Sequence, residues 1–192
     1  MNADTNEPNL VRYPDVREQI RDGDLLLFRS RGLIAALGRG THNHAAKAAW
    51  WGGDLFCLEV LQFTGGRAVT LSGQVRRWPG RYDVFEANPE NRWPHYDRGR
   101  ATQFMRRLCG CRYGYAGLAA AALLHMPVVR YFVRAETDDE AITRRPPFCS
   151  HACAMADRIG GRVDPVENLA DRLTEPADLA RSPFYRYRFT LE

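Results

Sequence analysis

Thr41-His42-Asn43-His44-Ala45-Ala46-Lys47-Ala48-Ala49-Trp50-Trp51-Gly52-Gly53-Asp54-Leu55-Phe56-Cys57-Leu58-Glu59-Val60 is the stretch on which the fold turns. Gly-Gly between two β-type runs is a favoured two-residue hairpin turn. If Gly52-Gly53 is that turn, Trp51 pairs with Asp54, Ala46 with Glu59 and His44 with Leu61. Side chains alternate along a strand, so His44, Ala46, Glu59 and Leu61 share one face. Glu59 then lies diagonally across from His44, about 7–8 Å away between backbones and within reach of two long polar side chains. A slip of one residue would undo the pairing. Glu59 stands between Leu58 and Val60 in a run that otherwise reads as core, and a buried carboxylate needs a partner. A histidine held by a carboxylate has a fixed tautomer and raised basicity, which is what a base for a cysteine nucleophile requires.

The cysteine that fits is Cys149. It follows Pro146-Pro147-Phe148 and opens the run Cys149-Ser150-His151-Ala152-Cys153-Ala154-Met155-Ala156-Asp157-Arg158-Ile159, which Gly160-Gly161 closes. Prolines before and glycines after predict a helix beginning at or near Cys149. A thiol there meets unpaired backbone N–H groups and the positive end of the helix dipole, both of which favour thiolate. Taken singly, Cys149 also reads as a small buried hydrophobe and His44 as a hydrogen-bonded surface histidine.

Working outward, Asp22-Gly23-Asp24 turns into a short buried strand, Leu25–Phe28, followed by a helical turn from Arg31 to Gly38. Strands are expected at His44–Trp50, Leu55–Gln62, Ala68–Leu71 and Tyr82–Glu86, punctuated by Gly52-Gly53, Gly65-Gly66 and Pro79-Gly80. From Arg98 the apolar spacing becomes helical through Ala101, Phe104, Met105 and Leu108. Gly117–Leu124 reads as a buried helix, Ala135–Glu140 as a charged, solvated loop or helix start, and Tyr185–Leu191 as a final strand. Short connections favour antiparallel pairing. The fold class is therefore α+β, an antiparallel sheet packed against helices, with residues 1–20 a loosely ordered lead-in and residues 21–192 a single domain.

At 192 residues, with 45% hydrophobic and 26% charged residues, the chain has the makings of one well-buried soluble domain. Lys47 is the only lysine, so nearly all of the +4 net charge is arginine, spread along the chain without a nucleic-acid-binding motif. Nucleic acid is therefore not an expected partner. The N-terminus lacks the basic start and apolar core of a secretory signal, and the longest apolar run, around 116–124, is too short to span a bilayer. No integral membrane segment is expected. Five cysteines without disulfide-scaffold spacing suit reduced thiols in a cytoplasmic setting, although a protein exported without a signal would look the same. Nothing in the sequence specifies an oligomeric state.

The order of Asp22-Gly23-Asp24-Leu25-Leu26-Leu27-Phe28, the His44 strand, the Glu59 strand, Tyr113-Gly114-Tyr115 and Phe148-Cys149-Ser150 resembles the circularly permuted branch of the NlpC-type papain-like superfamily, the YiiX/YebB-like cysteine hydrolases. The resemblance covers roughly residues 20–190. It implies a permuted papain-like fold and a Cys149–His44–Glu59 triad that cleaves an amide or acyl bond through a thioester. Cys149 would be the nucleophile, His44 the base, Glu59 its orienting partner and the Cys149 N–H an oxyanion donor. Tyr115 would line the substrate site, and no cofactor is implied. Peptides, including peptidoglycan fragments, are the first implied substrates and acyl or lipid amides the second. The chain departs from the family in having Asn43 before the histidine, where serine or threonine is common, and Ser150-His151-Ala152 after the cysteine.

Two readings of other classes compete. One is a zinc module built from Cys109-Gly110-Cys111 and Cys149-Ser150-His151-Ala152-Cys153, although these spacings fall on helix-like runs rather than knuckle turns. The other is a non-catalytic binding protein on the same fold. His42 is a substitute base that falls outside the expected strand, and His95, His125 and His151 read as surface or capping residues.

Overall fold

The computed structural model describes residues 8–30, 41–112, 147–167 and 169–192. The expected helical turn at 31–38, Tyr115 with its neighbours, the 117–124 helix and the 135–140 loop lie outside them.

Seven strands among the described residues form one sheet: β1 (Leu10–Val11), β2 (Leu25–Arg29), β3 (His42–Trp51), β4 (Asp54–Leu61), β5 (Gly65–Thr70), β6 (Tyr82–Ala87) and β7 (Tyr185–Leu191). Their spatial order is β1-β7-β6-β2-β3-β4-β5. Every pairing is antiparallel except β1 with β7, which is parallel. The helices are α1 (Tyr13–Val16), α2 (Leu71–Arg77), α3 (Arg98–Arg107), α4 (Cys149–Met155), which continues as a π-turn through Ala156–Gly160, and α5 (Pro176–Arg181).

The Gly52-Gly53 turn sets the β3–β4 register as expected, from Trp51–Asp54 to Ala46–Glu59. Both glycines have positive φ (59° and 86°), which a type I′-like hairpin turn demands and a β-carbon resists. Both faces of the sheet are covered. Leu25, Leu27, Ala45, Ala49, Leu58, Phe85 and the α4 residues Ala152 and Cys153 belong to one core. Leu26, Ala46, Ala48, Cys57, Val84 and Phe189 meet Tyr13, Val16, Leu71 and Val75 in the other. Burial on both sides is why Leu25-Leu26-Leu27 is a continuous apolar run rather than an alternating one.

Two expectations change. Residues 8–20 are not a loose lead-in: β1 pairs with the C-terminal strand, Leu10 opposite Thr190, and Val16 and Ile20 are buried. Burial of these side chains against a sheet edge orders a segment whose composition alone looks unstructured. In addition, Gly65-Gly66 is not punctuation but the start of β5, and Leu71 opens α2 instead of closing the strand. A β-carbon on Gly65 would stand 2.0 Å from the Cys111 carbonyl oxygen, and one on Gly66 1.8 Å from that of Leu108. The glycines are there because two backbones cross at contact.

The Asp22-Gly23-Asp24 turn acts as an anchor. Asp22 accepts the Trp50 N–H (2.8 Å), and Asp24 accepts from Arg98 Nη1 (2.7 Å) and the Ala87 N–H (3.2 Å). Below it lies the only lysine, wholly buried. Lys47 Nζ donates to Asp157 Oδ2 (2.6 Å), to Tyr185 Oη (2.9 Å) and to the Gly23 carbonyl (3.1 Å), while Tyr96 Oη donates to the other Asp157 oxygen (2.7 Å). The cluster joins β3, the π-turn after α4, β7 and the Asp22-Gly23-Asp24 turn.

Removing one partner of a buried ion pair strands the other charge. Lys47→Met is therefore expected to lower stability by about 3 kcal/mol or more, read as a lower urea midpoint at unchanged slope. A loss under about 1 kcal/mol would show that the pair does not hold these elements together.

Candidate active site

His44 owes its position to an irregularity in β3. Pairing with β2 steps from Phe28–His44 to Arg29–His42, so Asn43 is opposed by no residue and forms a β-bulge. A regular strand would put His42 and His44 on the same face. The bulge separates them. His42 Nε2 meets Asp83 (2.7 Å), which also accepts both bonds of the Arg29 Nε–H (2.8 and 2.7 Å) and the Thr190 hydroxyl (2.6 Å). His42 thus lies within the strand, not outside it as expected, and is committed to a buried network.

His44 turns the other way. Its Nε2–H donates to Glu59 Oε2 at 2.6 Å across the β3–β4 ladder, the diagonal contact that the hairpin register predicts. Glu59 is itself held from the opposite side. Arg67, directly across from it on β5, donates from Nε at 2.8 Å, with Nη2 at 2.6 Å from the same oxygen. Arg67 was not among the sequence candidates. Counting outward from the Leu61–Gly65 closure pairs it with Glu59, so its signal lay in the next hairpin.

Cys149 is the first residue of α4, preceded by Phe148 in extended conformation. All seven α4 residues are buried, and Ala152 belongs to the same core as Ala45 and Ala49 of β3. The β3–β4 ladder ends at Ala46–Glu59, and Ala45, the next residue along β3, gives its backbone hydrogen bond to the Cys149 sulfur, as does Ser150. His44 hydrogen-bonds the same sulfur. With Nε2 engaged by Glu59, Nδ1 is the ring nitrogen left to face the thiol.

The charges settle accordingly. Burial alone would push the Cys149 thiol up, but the His44 charge, its hydrogen bond and the two backbone bonds outweigh burial and hold it below its ordinary value. Burial disfavours a charged His44, yet Cys149 and Glu59 raise it to about 10. Burial likewise opposes ionisation of Glu59, and His44 and Arg67 overcome it, keeping the carboxyl low. Glu59 is therefore an ionised carboxylate between two cations. The other four cysteines shift the opposite way: burial pushes up Cys57, Cys109, Cys111 and Cys153.

Cys149, His44 and Glu59 open onto one cavity of about 630 Å³, with Phe28, Trp78 and Tyr82 on its aromatic wall. A second cavity of about 590 Å³, beside Trp93 and Phe184, is lined by no cysteine or histidine among the described residues. His95 is exposed. His151 is neither a surface nor a capping residue but buried, and burial with the charges of Arg158 and Arg172 holds it down to about 4, hence neutral. Tyr115 and His125 lie outside the described residues.

No protein-family model matches the chain, and no curated protein matches its sequence. Among solved structures it is similar to YiiX from Escherichia coli O157:H7, described as a metalloprotein of DUF1105. The TM-score is 0.63 at 10% identity, over 90% of this chain and 98% of that one. The two share a fold.

The donor groups here do not suit a metal. The Nε2 of His44 is spent on Glu59, and the carboxylate is already neutralised by Arg67. Among the described residues no three His, Cys, Asp or Glu side chains converge as ligands. The zinc set drawn from Cys109, Cys111, Cys149, His151 and Cys153 is not assembled either, because helix geometry sends His151 away from Cys149 and Cys153.

Iodoacetamide at pH ~7, below the unperturbed thiol pKa of about 8.5, is expected to label Cys149 ahead of the more exposed Cys109. Site-resolved mass spectrometry across pH reads the order. Glu59→Gln removes a charge that raises His44, so His44 titrates lower and the labelling advantage at neutral pH shrinks.

Proposed function

We propose that the chain is a cysteine hydrolase that cleaves an amide or acyl bond through a thioester on Cys149. The observation that carries this reading is a cysteine at a helix start that meets a histidine held by a buried carboxylate, with opposed shifts at that contact. The Cys149 thiol is held low and the His44 imidazole is raised to about 10, while the other cysteines are driven the other way. Where the thiol has ionised and the imidazole still holds its proton, thiolate and imidazolium coexist, the resting state of a cysteine nucleophile with a histidine partner. The order of elements, histidine strand, carboxylate strand and then cysteine helix, fits a circularly permuted papain-like arrangement. The fold shared with YiiX is compatible with an enzyme.

In this mechanism the Cys149 thiolate attacks the substrate carbonyl carbon. The electron pair of the C=O moves to oxygen, and the developing oxyanion lies at the start of α4, where the Cys149 N–H has no intrahelical acceptor. His44 then gives its Nδ1 proton to the leaving amine or alkoxide as the C–N or C–O bond breaks. The neutral imidazole takes a proton from water, whose oxygen attacks the thioester. Thiolate departs and the carboxylic acid leaves. Glu59 holds the ring through Nε2, and Arg67 holds Glu59. Both are positioning residues. Peptide amides, including cell-wall peptides, and acyl or lipid amides are the substrate classes this chemistry serves.

The test is acyl-enzyme capture. p-Nitrophenyl acetate is expected to give a burst of nitrophenolate and an acetyl adduct on Cys149 by mass spectrometry. Cys149→Ala should abolish both, and His44→Ala should slow turnover by about 10²–10⁴-fold. The rate should climb with pH as Cys149 ionises, below the usual thiol range, and fall as His44 loses its proton near about 10. An absent burst with unmodified Cys149 would leave the chain as a binding protein on this fold.

A further inference from the structure

The cavity over Cys149 carries more positive charge than its reacting groups use. Among the described residues four arginines line it, Arg29, Arg67, Arg77 and Arg81, against one carboxylate, Glu59. Two of the four are spoken for: Arg29 is fixed on Asp83 and Arg67 on Glu59. Arg77, at the end of α2, and Arg81, just before β6, are exposed and make no ion pair among the described residues. The Arg77 guanidinium lies 5.5 Å from the Trp78 ring, and Trp78 meets Phe28 edge-on at 6.0 Å. The cavity thus has a basic edge beside an aromatic wall. The thiolate and imidazolium cancel within the site, so these two cations are the charge left over.

A guanidinium presents a fork of N–H donors that matches carboxylate and phosphate oxygens. Leaving two of them unpaired at the edge of a cavity attracts an anion and repels a cation. We infer that the substrate of this site is anionic: an acyl compound bearing a carboxylate or phosphate group that Arg77 and Arg81 hold, with its apolar part against Phe28 and Trp78. This inference rests on Cys149 being the nucleophile, and it adds a selection that the triad chemistry alone does not make.

Two alkylating reagents that differ mainly in charge test it. Iodoacetate carries a carboxylate and iodoacetamide does not, and each loses iodide as the Cys149 thiolate attacks its CH₂ carbon, giving the same kind of thioether on sulfur. The rate ratio at Cys149, iodoacetate over iodoacetamide, is compared at low salt among the wild type, Arg77→Gln/Arg81→Gln and Arg77→Lys/Arg81→Lys. His44 is the same in all three, so its attraction for the anionic reagent drops out. The ratio is expected to fall about five- to tenfold in the glutamine variant and to stay within about twofold of wild type in the lysine variant. The wild-type excess should also fade at ~1 M salt.

An unchanged ratio in the glutamine variant, with rapid iodoacetamide labelling, overturns the anionic substrate and leaves the nucleophile standing. Slow labelling of Cys149 by both reagents at neutral pH overturns both. Protection of Cys149 by inorganic phosphate against protection by glutarate tells the two anions apart, by which acts at the lower concentration.

Discussion

The buried pairing of Lys47 with Asp157 fixes how the strand that carries His44 lies against the helix that carries Cys149. Lys47 is three residues along β3 from His44, about 10 Å at strand rise. Asp157 is eight residues beyond Cys149, about 12 Å at helix rise. The two spans nearly match. The ammonium–carboxylate pair at one end and the imidazole–thiol contact at the other therefore act as two rungs between the same pair of elements. Two tyrosine hydroxyls, from Tyr96 and Tyr185, and the Gly23 carbonyl complete the hydrogen bonding of the lower rung. A buried ion pair adds little net stability over a well-packed apolar pair. Its geometry is directional, however, and it resists sliding that small apolar side chains alone would tolerate.

The upper rung belongs to a line of alternating charge: Arg67, Glu59, His44 and Cys149. Glu59, His44 and Cys149 are each held in ionised form by their neighbours against the cost of burial. Arg67 is the member that reaches solvent most, and it lies on β5, beside the Gly65-Gly66 crossing with the backbone of residues 108–111. The glycines let that crossing approach closely, so the strand that delivers Arg67 is positioned by contact between backbones. The electrostatics of the thiol thus depend on a steric feature two strands away.

The bulge at Asn43 divides labour within one strand. With a regular register His42 would share the face of His44 and compete for the same surroundings. One extra residue sends His42 to Asp83, where Arg29 and Thr190 complete a buried structural network, and leaves His44 facing Glu59. Bulges that re-aim a side chain are common next to reacting groups. The residue that forms the bulge is Asn43, directly before His44.

What the sequence by itself determined is local. A two-glycine turn dictates its own register, so the contact between His44 and Glu59 followed from counting outward from Gly52-Gly53, and the prolines and glycines around Cys149 bounded its helix. The β5 hairpin held the same kind of information for Arg67, hidden by glycines that read as a break but serve a close backbone approach. Tertiary structure alone decided the rest. Lys47 and Asp157 are 110 residues apart, and nothing periodic links them. The order of residues 8–20 depends on a sheet edge formed by the far end of the chain. The bulge at Asn43 has no glycine or proline to announce it, because it arises from how β3 must satisfy β2 on one side and end its pairing with β4 on the other. Turn chemistry is written in neighbouring residues, whereas the pairing of buried charges and the slip of one strand against two others are settled only when all the surfaces meet.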